Sequence, residues 1–193
     1  MKYDNQYYVL TEDDVEVATL EINKEKTMLH EDRFCHDFPI DYDGSIYTYI
    51  YCFEDDPKKE KFKIGNYFKK PYPTMIEEFK KQLVELKIYK TQFFPLIIEH
   101  MEEGYEGFYM MHCYNYQFGM HKERSKYRNR NGLYFIDSLS LDENVLDKIP
   151  EDERLIFRLE ERLGMYIVHQ RVVDAIEKCG IEGMRFIKVQ EWG

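Results

Sequence analysis

The sequence predicts an α+β fold: a single domain spanning residues 1–193, with a mixed or antiparallel sheet and two principal helices. Aromatic and β-branched runs such as residues 45–53 (SIYTYIYCF) and 133–141 (LYFIDSLSL) have the composition of strands. Two other stretches repeat apolar residues at helical spacing: Met75, Ile76, Phe79, Leu83 and Leu86, and then Val172, Val173, Ile176 and Cys179. Gly180 stands where a helix commonly ends in a left-handed residue, and Gly183 follows in the turn before residues 184–189 alternate again. A chain of 193 residues buries roughly 70% of its unfolded surface, enough for one full core. Hydrophobic residues at 44% and aromatics at 16% set it apart from disordered chains, although 33% of it is charged.

Taken in order, residues 7–10, 15–22 and 45–53 read as strands, with a polar, irregular stretch at 23–43 between the last two. Residues 57–73 (PKKEKFKIGNYFKKPYP) read as a connector holding a short strand at 62–64, and mark a boundary between an acidic β lobe, 1–60, and a second lobe, 74–193. Thr74 and Glu77 form a T-x-x-E capping box, so a helix is expected over 75–87. Residues 92–98 follow as a strand that Pro95 places at an edge or a bulge. After the breaker Glu102-Glu103-Gly104 comes another strand at 106–116, then a basic run at 121–130, an Asn131-Gly132 turn and the strand at 133–141. A short helix over 142–149 ends at Pro150, and strand, turn, strand, helix (170–179), turn and strand complete the chain. Shifting the chain by 93 positions lays Phe79 on Val172, Leu83 on Ile176, Ile88 on Ile181 and Phe93 on Phe186, a helix-turn-strand pseudo-repeat.

The formal charge of −10 is segregated. Residues 1–60 hold 16 acids against 6 bases, whereas residues 61–193 hold 21 of each. Nucleic acids and anionic membranes repel such a chain, and a basic partner suits it. The acids cluster at Glu12, Asp13 and Asp14, at Asp41 and Asp43, and at Glu54, Asp55 and Asp56, which nominates these eight as a partner-binding surface. The longest apolar run, 93–98, is six residues and contains Pro95, far short of a membrane span. Cys35, Cys52, Cys113 and Cys179 form no C-x-x-C pair, and MKYDNQYYVL lacks the apolar core of a signal peptide; a reduced, cytoplasmic protein is expected.

Catalytic and cofactor signatures were sought by spacing. His30, Cys35 and His36, or His112, Cys113 and His121, match no zinc pattern, so no metal is expected. No G-x-S-x-G elbow and no phosphate-binding glycine loop occurs, and His112 and Cys113 on one strand would face opposite ways. The expectation is therefore no enzyme and no cofactor. Lys122, Arg124, Lys126, Arg128 and Arg130 alternate through the basic run, and would share one face if it were extended. That leaves a nucleic-acid or other interaction module, or an enzyme with an unrecognised site, as the alternatives.

Residues 105–190 carry a family likeness. Phe108-Tyr109, Asn115, Tyr116 and Glu123-Arg124-Ser125-Lys126-Tyr127 resemble the middle of the immunity protein 11 family. Ile156-Phe157-Arg158-Leu159, Ile167-Val168, Val172-Val173-Asp174-Ala175-Ile176, Gly180-Ile181-Glu182-Gly183 and Phe186 resemble its ending. Where a small hydroxyl residue is common before the last helix of that family, His169 stands here. The resemblance implies a non-enzymatic cytoplasmic immunity protein of a bacterial polymorphic-toxin system, whose partner is a cognate protein toxin.

Overall fold

The computed structural model describes residues 1–13, 19–28, 36–45, 48–53, 64–100 and 103–193. Strands β1 (Tyr7–Glu12), β2 (Thr19–Ile22), β3 (Thr48–Phe53), β4 (Tyr67–Phe68) and β5 (Thr74–Ile76) lead to helix α1 (Glu77–Glu85). Then come β6 (Thr91–His100), β7 (Glu103–Cys113), β8 (Tyr116–Gln117), β9 (Lys126–Arg130), β10 (Leu133–Ser138) and the short helix α2 (Glu143–Leu146). Strands β11 (Ile156–Leu159) and β12 (Arg162–His169), helix α3 (Gln170–Glu177) and strand β13 (Met184–Lys188) follow. Sheet one has the order β13-β1-β12-β11-β8, sheet two the order β2-β3-β6-β7-β5-β4, and β9 and β10 form a separate hairpin. The result is an α+β fold with mixed sheets.

Each sheet contains a split β-α-β unit, in which two parallel strands joined by a helix admit one antiparallel strand between them. In sheet two the unit is β5-α1-β6, with β7 antiparallel to both strands. In sheet one it is β12-α3-β13, with β1 in the middle place. The residues related by the 93-position shift meet in one core. Phe79, Leu83, Ile88, Val172 and Ile176 are buried in it, and Phe93, Ile181 and Phe186 pack against it.

That shared core also takes Tyr8 and Leu10 of β1, Met111 and Cys113 of β7, and Tyr166 and Val168 of β12. Strand periodicity sends the alternate residues outward. Tyr7, Val9, Phe157, Leu159, Met165 and Ile167 build a second cluster on the far face of sheet one, beneath the β9–β10 hairpin. Leu96, Ile98, Phe108 and Met110 build a third on the far face of sheet two, where Ile40 covers them. Ile40 is held by a two-way amide clamp: its N–H donates to Gln92 Oε1 and its carbonyl accepts from Gln92 Nε2, each at 2.8 Å.

Several expectations need correction. Thr74 and Met75 belong to β5 rather than to the helix, because both are wholly buried and pair with β7. The Thr74 hydroxyl donates to the Tyr72 carbonyl, so the capping box does not form and α1 starts at Glu77 without a side-chain cap. Lys87, at φ 52°, lies beyond the end of α1, and α3 ends at Glu177, two residues early. Pro95 lies in β6, an interior strand, just before the parallel ladder with β3 begins at Thr48 opposite Leu96; a register shift follows between Leu96 and Ile98. Glu103 and Gly104 begin a strand instead of breaking one. The connector's strand is at Tyr67–Phe68; Ile64 lies outside it, and residues 57–63 fall outside the described ones. The first sixty residues have no sheet of their own among the described residues, since β1 lies in sheet one and β2 and β3 in sheet two.

Among the described residues no helix is long and apolar enough to cross a membrane.

His169 shows how an imidazole can do the work of a hydroxyl at the start of a helix. It is the N-cap of α3, and its Nδ1 accepts from the Arg171 backbone N–H at 3.2 Å, the task Ser or Thr performs elsewhere. The acceptor must be unprotonated, and burial pushes the His169 pKa below its ordinary 6.5. The unfolded chain therefore binds the proton more readily, so this stabilisation is present above about pH 6.5 and is lost as pH falls below it. Urea unfolding from pH 5 to 8 should show His169→Ala costing about 1 kcal/mol at pH 8. His169→Ser should keep the cap and flatten that part of the pH dependence.

Candidate functional site

The candidate site is a cleft of about 540 Å³ whose lining includes Phe118, His121, Lys122, Glu123, Asp142 and Glu161. Three local structures assemble it. Strand β8 runs parallel to β11, with Tyr116 beside Arg158 and Gln117 beside Leu159, and delivers Phe118 to the surface. Gly119 then passes so close to β11 that a Cβ there would lie 3.2 Å from the Phe157 and Leu159 side chains. Any larger residue would push this wall of the cleft outward.

The next residues are held by antiparallel contacts. Met120 bridges to Leu141, the His121 N–H donates to the Ser140 carbonyl at 2.8 Å, and the Asp142 N–H donates to the Gly119 carbonyl at 2.8 Å. Asp142 caps α2 by accepting from the Asn144 N–H at 2.9 Å. The buried carboxylate of Asp4 fixes the same region, taking the Leu141 N–H on one oxygen and the Ser140 hydroxyl on the other, each at 2.8 Å.

Glu161 comes from the two-residue loop that joins β11 to β12, where Leu159 pairs with Arg162. Its residue is only 8% exposed. One carboxyl oxygen accepts from the Met120 N–H at a long 3.4 Å, and the other is buried with no hydrogen-bond partner. Burial pushes the Glu161 pKa up from 4.5, against backbone N–H bonds from Glu161 itself and Met120 and the nearby charge of Lys122. His121 Nδ1 is also buried without a partner. Phe118, in contrast, is 67% exposed. The cleft thus joins an exposed aromatic ring to three carboxyl groups, one of them incompletely bonded.

Of the eight nominated acids, Glu12, Asp13, Asp41 and Asp43 lie within the described residues, and these four stand at two separate places. The Glu12 carboxylate is used internally, accepting the Lys69 backbone N–H, while Asp13 is half-buried and its N–H donates to the Gly183 carbonyl at 3.1 Å. Both stand at the β13 side of sheet one. Asp41 and Asp43 are exposed, in the segment that covers the outer face of sheet two, and Asp43 accepts the Ser45 N–H at 2.9 Å. Asp14, Glu54, Asp55 and Asp56 lie outside the described residues. Glu161 and Phe118 escape sequence reasoning, because a glutamate in a strand-to-strand loop and a lone aromatic beside a glycine carry no pattern.

The basic run divides. Lys122 enters the cleft lining, and Arg124 binds the Leu141 carbonyl at 2.7 Å and Glu143 at 3.3 Å. Lys126, Arg128 and Arg130 alternate along β9, so only these three share a face. Leu133 and Phe135 of β10 pair with Arg130 and Arg128 and are exposed beside them. Tyr127, Tyr134 and Ile136 point the other way, onto the second core cluster. The Asn131-Gly132 turn has φ values of 52° and 87°, both left-handed, as a two-residue hairpin loop requires.

Among the described residues, no group of three or more His, Cys, Asp or Glu side chains is placed to hold a metal ion.

The raised Glu161 pKa has a measurable consequence. A carboxyl that holds its proton more tightly when folded makes stability fall as pH rises above 4.5. Glu161→Gln cannot ionise, so it should match the parent near pH 4 and exceed it at pH 7 in urea titrations. Equal stability at both pH values would show that the carboxyl is not penalised by burial. In comparisons with known proteins, no family model matches the chain, and no curated protein matches it.

Proposed function

We propose that this chain is a non-enzymatic immunity protein of the bacterial cytoplasm that binds a cognate protein toxin and neutralises it. The observation that carries the proposal is the cleft, in which exposed Phe118 stands beside the carboxyl groups of Glu161, Glu123 and Asp142. An exposed aromatic next to a recessed charge is the composition of an interface anchor, and its sign suits a basic partner. The likeness to the immunity protein 11 family supports the same reading; the residues that carry its ending lie in β11, β12 and β13 of sheet one, in helix α3 and in the turn before β13. Asp41 and Asp43, on the outer face of sheet two away from the cleft, add only to the long-range negative field that would steer a basic toxin.

Co-expression with the toxin encoded by a neighbouring reading frame should restore growth, and the purified pair should neutralise at a fixed stoichiometry. Inactivation of toxin by far less than stoichiometric protein would instead mean catalysis. Replacing Asp41 and Asp43 by Asn should slow association several-fold at low salt, with little change in dissociation. An unchanged association rate would show that they take no part in steering.

The hairpin favours a second reading, as an interaction module for single-stranded nucleic acid. Lys126, Arg128 and Arg130 lie on one face with Phe135, over whose ring the Arg130 guanidinium sits at 6.0 Å, while Arg128 also pairs with Asp137 at 3.2 Å. Filter binding to single-stranded RNA tests it: affinity that falls steeply with salt and is lost in Arg128→Ala and Arg130→Ala would establish this function. No retention at low salt would dismiss it.

A further inference from the structure

We propose that the cleft between Phe118 and Glu161 is a guanidinium pocket, filled by an arginine side chain of the protein partner. This inference rests on the binding-protein reading and adds the chemistry of the contact. Glu161 is more than nine-tenths buried, with one oxygen lacking any donor and the other accepting the Met120 N–H at a long 3.4 Å. Such a group is completed by a ligand that brings donors and positive charge together. Asp4, close in sequence terms to none of these residues but tied to the same wall, shows the completed state: both of its oxygens have donors at 2.8 Å.

The surrounding groups narrow the ligand. Glu123 and Asp142 add two carboxylates to the lining against one ammonium, Lys122, so an anion is disfavoured. His121 Nδ1, buried and unpartnered, supplies a further acceptor when the ring carries its proton on Nε2. A guanidinium meets these demands better than an ammonium. Its planar fork can donate two parallel bonds to a carboxylate, it sheds water more easily, and its flat face stacks on an aromatic ring such as the exposed Phe118. The volume, about 540 Å³, lies within the roughly 300–1,000 Å³ typical of small-ligand sites and admits a long side chain.

The partner's chain is favoured over free arginine as the source. A free amino acid also carries an α-carboxylate, which would face three carboxyl groups with Lys122 as the only cation among the described residues of the lining. Arg124, the next cation along the turn, is engaged by the Leu141 carbonyl and Glu143.

The test uses the full chain and three probes: N-acetyl-L-arginine N-methylamide, its citrulline counterpart, and free L-arginine. Nuclear magnetic resonance of the labelled Glu161 carboxyl and the Phe118 ring should show saturable binding of the blocked arginine, with a Kd on the order of 1 mM for so small a ligand. Citrulline, the uncharged isostere, should bind roughly tenfold more weakly, because the charge-assisted bonds are lost. Glu161→Gln and Phe118→Ala should each weaken the arginine probe about fivefold or more, with the rest of the spectrum unchanged. Phe118 is exposed, so its replacement leaves the core intact and guards against a folding artefact in the other variant. Equal binding of citrulline, undiminished binding by both variants, or tighter binding of free arginine would overturn the proposal. A chain that binds the probe but rescues no growth would keep the pocket and sink the toxin reading; rescue by a chain blind to the probe would do the reverse.

Discussion

Neither sheet can cover its own inner face, and the fold depends on how that problem is solved. Phe79 and Leu83 of α1 and Val172, Val173 and Ile176 of α3 are buried in one cluster with inward residues of both sheets, and the two helices touch. Each helix therefore covers its own split β-α-β unit and also contacts the other. Fully burying side chains of this size contributes about 1.5–3 kcal/mol apiece, so this layer outweighs any surface ion pair in the molecule. Because the layer is rigid, the outer faces of the sheets can carry irregular segments: the loop through Ile40 on one side, the β9–β10 hairpin and the cleft on the other.

Polar groups buried outside that layer separate into complete and incomplete sets. Arg158 lies on the inner side of β11, its guanidinium 4.6 Å from the Tyr116 ring and 5.3 Å from the Tyr166 ring, while its Nε donates to the Leu163 carbonyl at 2.7 Å. Asn115 is wholly buried and donates to the Glu153 and Ile156 carbonyls, fastening the end of β7 to β11. These groups hold β11, the strand that leads into the loop carrying Glu161. Glu161, two residues past β11, is the contrasting case, a carboxyl whose donors are one short. A scaffold this well bonded, with the deficit placed beside an exposed ring, leaves its unmet bonding capacity at the cleft.

Much of the architecture was legible because local pattern and tertiary demand agreed. The helical stripes named both principal helices, the Asn131-Gly132 pair named its hairpin, and the 93-residue echo reflects two units of one topology. Failures came where a distant partner outbid a local signal. Thr74 looks like a cap until β7 claims it as a strand residue, and Pro95, expected at an edge or a bulge, lies in an interior strand just before the register shift between Leu96 and Ile98. Which acids are already occupied was least legible, since Glu12 serves the Lys69 backbone, whereas Glu161, with a buried oxygen that lacks a donor, belongs to none of the nominated clusters. Charge can be counted in a sequence, whereas the occupancy of these two carboxylates depends on neighbours more than forty residues away.

The place of β1 governs how the chain can reach this structure. Tyr7 pairs with His169 and Tyr8 with Lys188, so the middle strand of sheet one is synthesised first and both of its neighbours last. At roughly 5–20 residues per second, a ribosome needs on the order of 10–30 s to make the intervening chain. Throughout that interval Tyr7, Tyr8, Val9 and Leu10, which end up buried on both faces, have no strand to join. Sheet one can therefore close only once β12 and β13 have been made, and its first strand must wait for both.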